Sequence, residues 1–175
     1  MRDELLERVR RLRLMIFDVD GVLTDGTLYL GEAGFEMKAF HVRDGHGLKM
    51  LRESGVVVAI LSARRSRVVD LRAAELGIEL VEQGASDKGA AFDRLVSRLR
   101  LLPADAGYMG DDVVDLPVFA RCGFAASVPE APEIVRERAH HVTRAAGGRG
   151  AAREICELIM HAQSTLQRSI ARSVG

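Results

Sequence analysis

LMIFDVDGVLTD, residues 14–25, runs through apolar side chains and then sets two carboxylates, Asp18 and Asp20, two residues apart beside Gly21. The unbroken apolar run over 14–19 predicts a strand buried on both faces, the pattern of a parallel sheet covered by helices. A charged pair at the end of such a strand is expensive unless it stands in water or shares a cation. Which of the two holds depends on what else reaches the same edge.

Working outward, apolar runs over 56–61, 79–82, 106–109 and 124–128 read as further strands. Helical spacing separates them over 47–53, 67–76, 88–101, 113–120, 131–138 and 153–163, with Gly55 and Gly77 as stops. Residues 27–30 and 35–40 flank a glycine-containing turn and read as a β-hairpin inserted after the first strand. The fold class is therefore α/β: a single Rossmann-like parallel sheet with helices on both faces, a small hairpin insertion and no cap domain. The chain reads as one domain over 1–175, with the hairpin at about 27–40 and a glycine-rich tail from about 145 to the end.

Composition narrows the function. At 175 residues and 47% hydrophobic, the chain can bury one real core. Its net charge of zero leaves no basic footprint for nucleic acid. No apolar run has the length of a membrane span. Residues 1–13 carry mixed charge and predict a short amphipathic helix rather than a secretory signal. Cys122 and Cys156 lack metal-like spacing and read as small buried hydrophobes in a reducing, cytoplasmic setting.

Open α/β sheets bind ligands at the carboxyl ends of their strands. The first strand delivers Asp18 and Asp20 there; the second delivers Ser62, Arg64 and Arg65; the third leads to Lys88; the fourth leads to Asp111, Asp112 and Asp115. Carboxylates converging on one point repel unless a cation lies among them. Few, all-oxygen ligands with room for water and a phosphate favour Mg²⁺. A hydroxyl, an arginine and a lysine suit phosphoryl oxygens. One aspartate can then act as nucleophile, and its neighbour two along can move the proton.

These residues resemble the haloacid dehalogenase superfamily of phosphotransferases, whose four motifs read here DVDGVLTD, LSARRS, SDKG and GDDVVDLP. Over almost its whole length the chain resembles the capless branch of 3-deoxy-D-manno-octulosonate 8-phosphate phosphatases, with RDGHGLKML and GGRGAARE pointing to that branch. The resemblance implies Asp18 as nucleophile and Asp20 as general acid/base. It implies Mg²⁺ held by Asp18, the backbone carbonyl of Asp20 and Asp111, with Asp112 and Asp115 backing these ligands. Ser62 and Lys88 are implied in phosphoryl binding, and Arg64 and Arg72 in substrate binding. It also implies a homotetramer whose hairpins contribute to neighbouring sites, a tail that folds over an active site, and a role in lipopolysaccharide sugar biosynthesis. Ala63 departs from the glycine usual after the motif-two hydroxyl, and its β-carbon is tolerated only where φ is negative.

Other residues have plainer readings. Lys38, Lys49 and Lys88 are the only lysines among 25 basic residues, so position must decide their meaning. Lys38 and Lys49 read as solvated or snorkelling, with Lys38 in reach of a neighbour's substrate. His41, His46, His140 and His141 lack ligand spacing and read as surface or structural. Three alternatives remain open. They are a phosphoacceptor signalling domain, a silent oligomerisation module, and a phosphatase for nine-carbon, sialic-acid-type keto-acid phosphates.

Overall fold

The computed structural model describes residues 2–174. In chain order the elements are α1 (Arg2–Arg10), β1 (Leu14–Phe17), β2 (Tyr29–Leu30), β3 (Glu36–Met37), α2 (Val42–Glu53), β4 (Val57–Ser62), α3 (Arg67–Leu76) and β5 (Leu80–Gln83). There follow α4 (Lys88–Arg98), β6 (Ala106–Met109), α5 (Leu116–Phe119), β7 (Phe124–Ser127), α6 (Glu133–Arg136), β8 (His141–Val142), α7 (Ala151–Ala162) and α8 (Leu166–Val174).

Six strands form one parallel sheet in the order β5-β4-β1-β6-β7-β8. β1 lies inside it, with Phe17 beside Ile60 of β4 and Met109 of β6, and every residue of β1 and β6 is buried. This is the doubly covered sheet expected of continuous apolar strands. α1, α2, α7 and α8 pack on one another in one helical layer, while α4 and α5 pack together in another. Phe17, Phe92, Tyr108 and Phe124 are fully buried, and each such side chain stabilises by about 1.5–3 kcal/mol through the area it removes from water. Among the described residues no helix is long and apolar enough to cross a membrane.

The hairpin after β1 forms, but with less pairing than its sequence suggests. Only Tyr29 and Leu30 pair with Met37 and Glu36, and a 3-10 turn over Glu32–Gly34 joins them. The helix expected from residue 47 begins at Val42, because Gly45 and Gly47 let the helix approach its neighbours closely. The segment expected as one helix over 113–120 is a 3-10 turn, Val113–Asp115, followed by α5. β8 and α8 have no counterpart in the sequence reading; β8 is a two-residue edge strand, too short for a period to show. Gly77 closes α3 in the left-handed conformation, at φ 68°.

Candidate active site

β1 ends against Asp18, whose carboxylate is almost fully buried. One oxygen accepts the Val19 N–H at 2.7 Å and the other accepts the Lys88 ammonium at 2.5 Å. Lys88 stands at the first position of α4, a start fixed by Asp87, which caps the helix through the Ala90 N–H at 2.9 Å. The Lys88 ammonium also donates to Asp115 at 2.6 Å and to the Tyr108 hydroxyl at 3.2 Å. Asp115 in turn accepts from the Tyr108 hydroxyl at 2.6 Å and from the N–H groups of Asp111 and Asp112 at 2.9 and 3.0 Å. It is fully buried and holds four donors, so its lone pairs are in use. Asp112 is exposed, and its carboxylate accepts the Val113 N–H at 2.7 Å in a reciprocal cap with Asp115.

Carboxylate oxygens of Asp18, Asp111 and Asp115 lie within 4.8 Å of one another. Burial and then the charges of Asp18 and Asp115 push the Asp111 carboxyl up to about 7. Burial also pushes Asp18 up, against the pull of Lys88. On Lys88 burial pulls the ammonium down, but Asp18 and Asp115 together outweigh it and hold the charge in place. Asp18 and Asp111 therefore have an excess of negative charge that either a proton or a cation relieves. The hard carboxylate oxygens of Asp18 and Asp111, with lone pairs to spare, fit a divalent ion of the Mg²⁺ kind, whereas Asp115 is already saturated by its four donors.

Gly21 makes this approach possible. It sits at φ +83°, and a β-carbon there would fall 1.9 Å from an Asp111 carboxylate oxygen. The same loop receives the C-terminal region. The Gly148 N–H donates to the Val22 carbonyl at 2.9 Å, and a β-carbon on Gly147 would lie 1.9 Å from the Gly21 carbonyl oxygen. Arg149 pairs with Asp25 at 3.5 Å. A cleft of about 250 Å³ opens here between Asp111, Gly21, Asp25, Glu130, Gly147 and Arg149. The tail is anchored from α2, where the buried Asp44 accepts the N–H groups of Gly150 and Arg153 at 3.0 and 2.8 Å and so caps α7 from outside.

Asp20 faces a different set of partners. One oxygen accepts from the Lys38 ammonium, and the other lies 3.7 Å from Arg64 Nε. The Lys38 side chain is 1% exposed. It is not solvated: its ammonium is taken up by Asp20 and Glu36 of its own chain. Glu36, on the same strand, faces Lys38 at 3.4 Å and Arg64 at 3.8 Å and accepts the Ser66 hydroxyl at 2.5 Å. That hydroxyl, placed where it would cap α3, serves Glu36 instead. Ser62 is buried and its hydroxyl oxygen accepts the Arg64 N–H at 3.3 Å. Between them Ala63 keeps out of the left-handed region, so its β-carbon introduces no backbone strain.

The structure thus gathers Asp18, Lys88, Asp111 and Asp115, and beside them Asp20, Ser62 and Arg64. Arg72 is elsewhere: it pairs with Glu75 at 2.7 Å, lies 5.7 Å over the Phe40 ring, and walls a small apolar pocket with Leu23 and Asp44. The histidines stay structural in their contacts. His140 Nδ1 accepts the Ala125 N–H at 2.8 Å, and His141 lies 3.7 Å from Glu154. Both cysteines are free and buried, and burial pushes the Cys122 thiol up to about 12. Tyr108 and Glu36 are the site neighbours that sequence reasoning missed, and Lys38, read as solvated or in reach of a neighbour's substrate, pairs with Asp20 of its own chain. A tyrosine within a buried strand needs a partner for its hydroxyl, which was the available signal for Tyr108.

A family model of haloacid dehalogenase-like hydrolases matches residues 71–155. The 3-deoxy-D-manno-octulosonate 8-phosphate phosphatase of Yersinia pestis is 44% identical over 172 residues, which cover 98% of this chain and 92% of that one. The protein of the same name from Escherichia coli K12 is 42% identical over 171 residues, 98% and 91% of the two chains. A crystal structure of 3-deoxy-D-manno-octulosonate 8-phosphate phosphatase from Moraxella catarrhalis, in complex with magnesium ion, phosphate ion and KDO, superposes with a TM-score of 0.96. It is 40% identical and the match covers 99% of each chain.

Proposed function

The chain belongs to the haloacid dehalogenase-like hydrolases, in their 3-deoxy-D-manno-octulosonate 8-phosphate phosphatase family, and on that premise we propose that it hydrolyses this eight-carbon keto-acid phosphate to the free sugar acid and phosphate. The observation that carries the chemistry is the meeting of Asp18, Lys88 and Asp111 at the carboxyl edge of the sheet, with Asp20 two residues from Asp18. The near full-length identity to phosphatases of that name supports the substrate.

In this reading an Asp18 carboxylate oxygen attacks phosphorus. The bond from phosphorus to the sugar oxygen breaks, and Asp20 gives its proton to the departing alcohol. Asp20, now a carboxylate, takes a proton from the water that attacks the aspartyl-phosphate, which releases phosphate and restores Asp18. Lys88, held by Asp115 and Tyr108, offsets the repulsion between Asp18 and an anionic substrate and, with Ser62, binds the phosphoryl oxygens. A Mg²⁺ bound by Asp18, the Asp20 backbone carbonyl and Asp111 supplies further positive charge for those oxygens. Asp115 and Asp112 order the loop that carries Asp111. Arg64, 46% exposed beside Asp20, is placed to meet the sugar acid, and the family resemblance alone assigns Arg72 to the same substrate.

The rest of the reading is a single catalytic domain over 1–175, a tail from about 145 that closes the cleft, a cytoplasmic location and a homotetramer. Leu28, Tyr29, Leu30, Phe35, Met37 and Val42 are exposed apolar side chains on and beside the hairpin, which supports burial against another copy. The test is phosphate release from the eight-carbon and nine-carbon keto-acid phosphates and from p-nitrophenyl phosphate, with and without Mg²⁺. The eight-carbon ester is expected to lead in kcat/KM by roughly tenfold or more, as a pocket fitted to one chain length does. Preference for the nine-carbon ester would overturn the substrate. No Mg²⁺-dependent release, and none lost on Asp18→Asn, would overturn the enzyme and leave an oligomerisation module.

A further inference from the structure

Asp20 belongs to a closed ring of alternating charge, Asp20–Lys38–Glu36–Arg64, in which each side chain lies against two of opposite sign. The ring joins three separate segments: the loop after β1, the second strand of the hairpin with its exit, and the loop after β4. Its members are unequal. Arg64 is half exposed and has water beside it, whereas the Lys38 side chain is 1% exposed and has no solvent to fall back on. Glu36 is fixed from outside by the Ser66 hydroxyl, and Ser66 is itself held by its N–H on Gln83 at 2.8 Å. Lys38 is therefore clamped, and it delivers a fixed donor to one oxygen only of Asp20.

We propose that Lys38 is a positioning residue that makes the general acid/base step depend on the hairpin being seated. The inference rests on the phosphatase reading above. With Oδ1 of Asp20 accepting from Lys38 in both protonation states, the mobile proton is carried on Oδ2. That oxygen faces Arg64 and the open side of the site. As the phosphorus–oxygen bond of the ester breaks, the Oδ2 proton passes to the leaving oxygen. Oδ2 later takes one proton from the attacking water, so the carboxyl ends as it began. Without Lys38 the carboxyl rotates freely, and both oxygens share the proton in orientations that miss the leaving group. The hairpin then has a catalytic consequence inside its own chain, separate from any contact with a neighbour.

The experiment compares kcat/KM for phenyl phosphate and p-nitrophenyl phosphate, which differ little in shape but strongly in how much the leaving oxygen needs a proton. Lys38→Met is expected to lower the phenyl ester roughly tenfold further than the p-nitrophenyl ester, a fraction of what a positioned acid supplies. Lys38→Arg, which restores a charged donor, is expected to return the ratio of the two esters to within about threefold of the parent. Lys38→Gln is measured beside them, with a thermal melt, because it keeps the buried stem if the methionine variant fails to fold; the same selective loss is expected. An equal fall for both esters in the folded variants would make Lys38 merely structural, and no fall in either would leave it a contact for the sugar. Either result overturns the inference. A parent chain that releases phosphate from neither ester would instead fail the phosphatase reading, and the inference with it.

Discussion

Asp18 and Asp20 are two residues apart, yet they live in different regions. Asp18 stands in an inner cluster with Lys88, Asp115 and Tyr108, all buried and carried by the central sheet, the first turn of α4 or the 3-10 turn before α5. Asp20 stands in an outer ring whose other members come from the hairpin and a loop. The inner cluster cannot change without disturbing the core. The outer ring is held by a two-stranded ribbon of four paired residues, which has little stability of its own. The difference teaches that Asp18 and Asp20, proposed above as nucleophile and proton carrier, are held by independent parts of the fold: the first by the core, the second by the hairpin.

Removing the inner cluster's support is the most damaging way to test this. Asp115→Ala leaves the Lys88 ammonium, the Tyr108 hydroxyl and two backbone N–H groups without their partner. It is expected to lower the unfolding free energy by about 3–5 kcal/mol, as loss of one side of a buried ion pair does. Denaturant titration reads it, and a loss below about 1 kcal/mol would show that the cluster is not part of the core.

The outer ring is expected to yield more gently. The Ser66 hydroxyl, and after it Lys38 and Arg64, hold the Glu36 carboxyl below its usual value near 4.5. A depressed carboxyl contributes stability above its unfolded value that is lost as pH falls through the folded one. Glu36→Gln is therefore expected to cost about 1–2 kcal/mol at pH 7, the size of a hydrogen bond to a charged group. Its melting temperature should approach that of the parent as pH drops below about 4.5. A gap between the two that stays constant down to pH 3 would show that the Glu36 charge plays no part.

On the hairpin's other side the expected effect on the monomer is smallest of all. Leu30 is 68% exposed, so Leu30→Ser should change unfolding free energy by no more than about 0.5 kcal/mol. In sedimentation the same variant should nevertheless lose mass relative to the parent, if the parent is the homotetramer proposed above. Equal masses would remove Leu30 from any contact between copies.

Much of the inner region was legible in the sequence, and the reason is physical. A buried parallel strand has to be continuously apolar, so Asp18, Lys88 and Asp111 stand out where such runs end. The outer ring was not legible in the same way. Lys38 lies in a short, half-exposed ribbon with no strong period, and nothing in residues 35–40 says which way a lysine points. Its rarity in an arginine-rich chain was the usable sign, and its burial against Asp20 supplies the meaning. Likewise Gly45 fell outside the helix expected over 47–53, when both it and Gly47 lie in α2, Gly45 against Arg72 and Gly47 against Arg153 of α7.

The bridge from Asp44 to α7 has a consequence for the order of events on the ribosome. Asp44 joins partners 106 and 109 positions later in the chain, and the Gly148 amide closes on Val22. β1, made early, must wait for β6 to complete its ladder. Contacts of such long sequence separation form late. A nascent chain can therefore bury Asp18 only after most of the sheet has emerged, and the cleft beside Asp111 acquires its Gly147 wall only after all six strands have been made. The site is closed only once residues 147–153 have been made, and chains stopped short of them carry an open one.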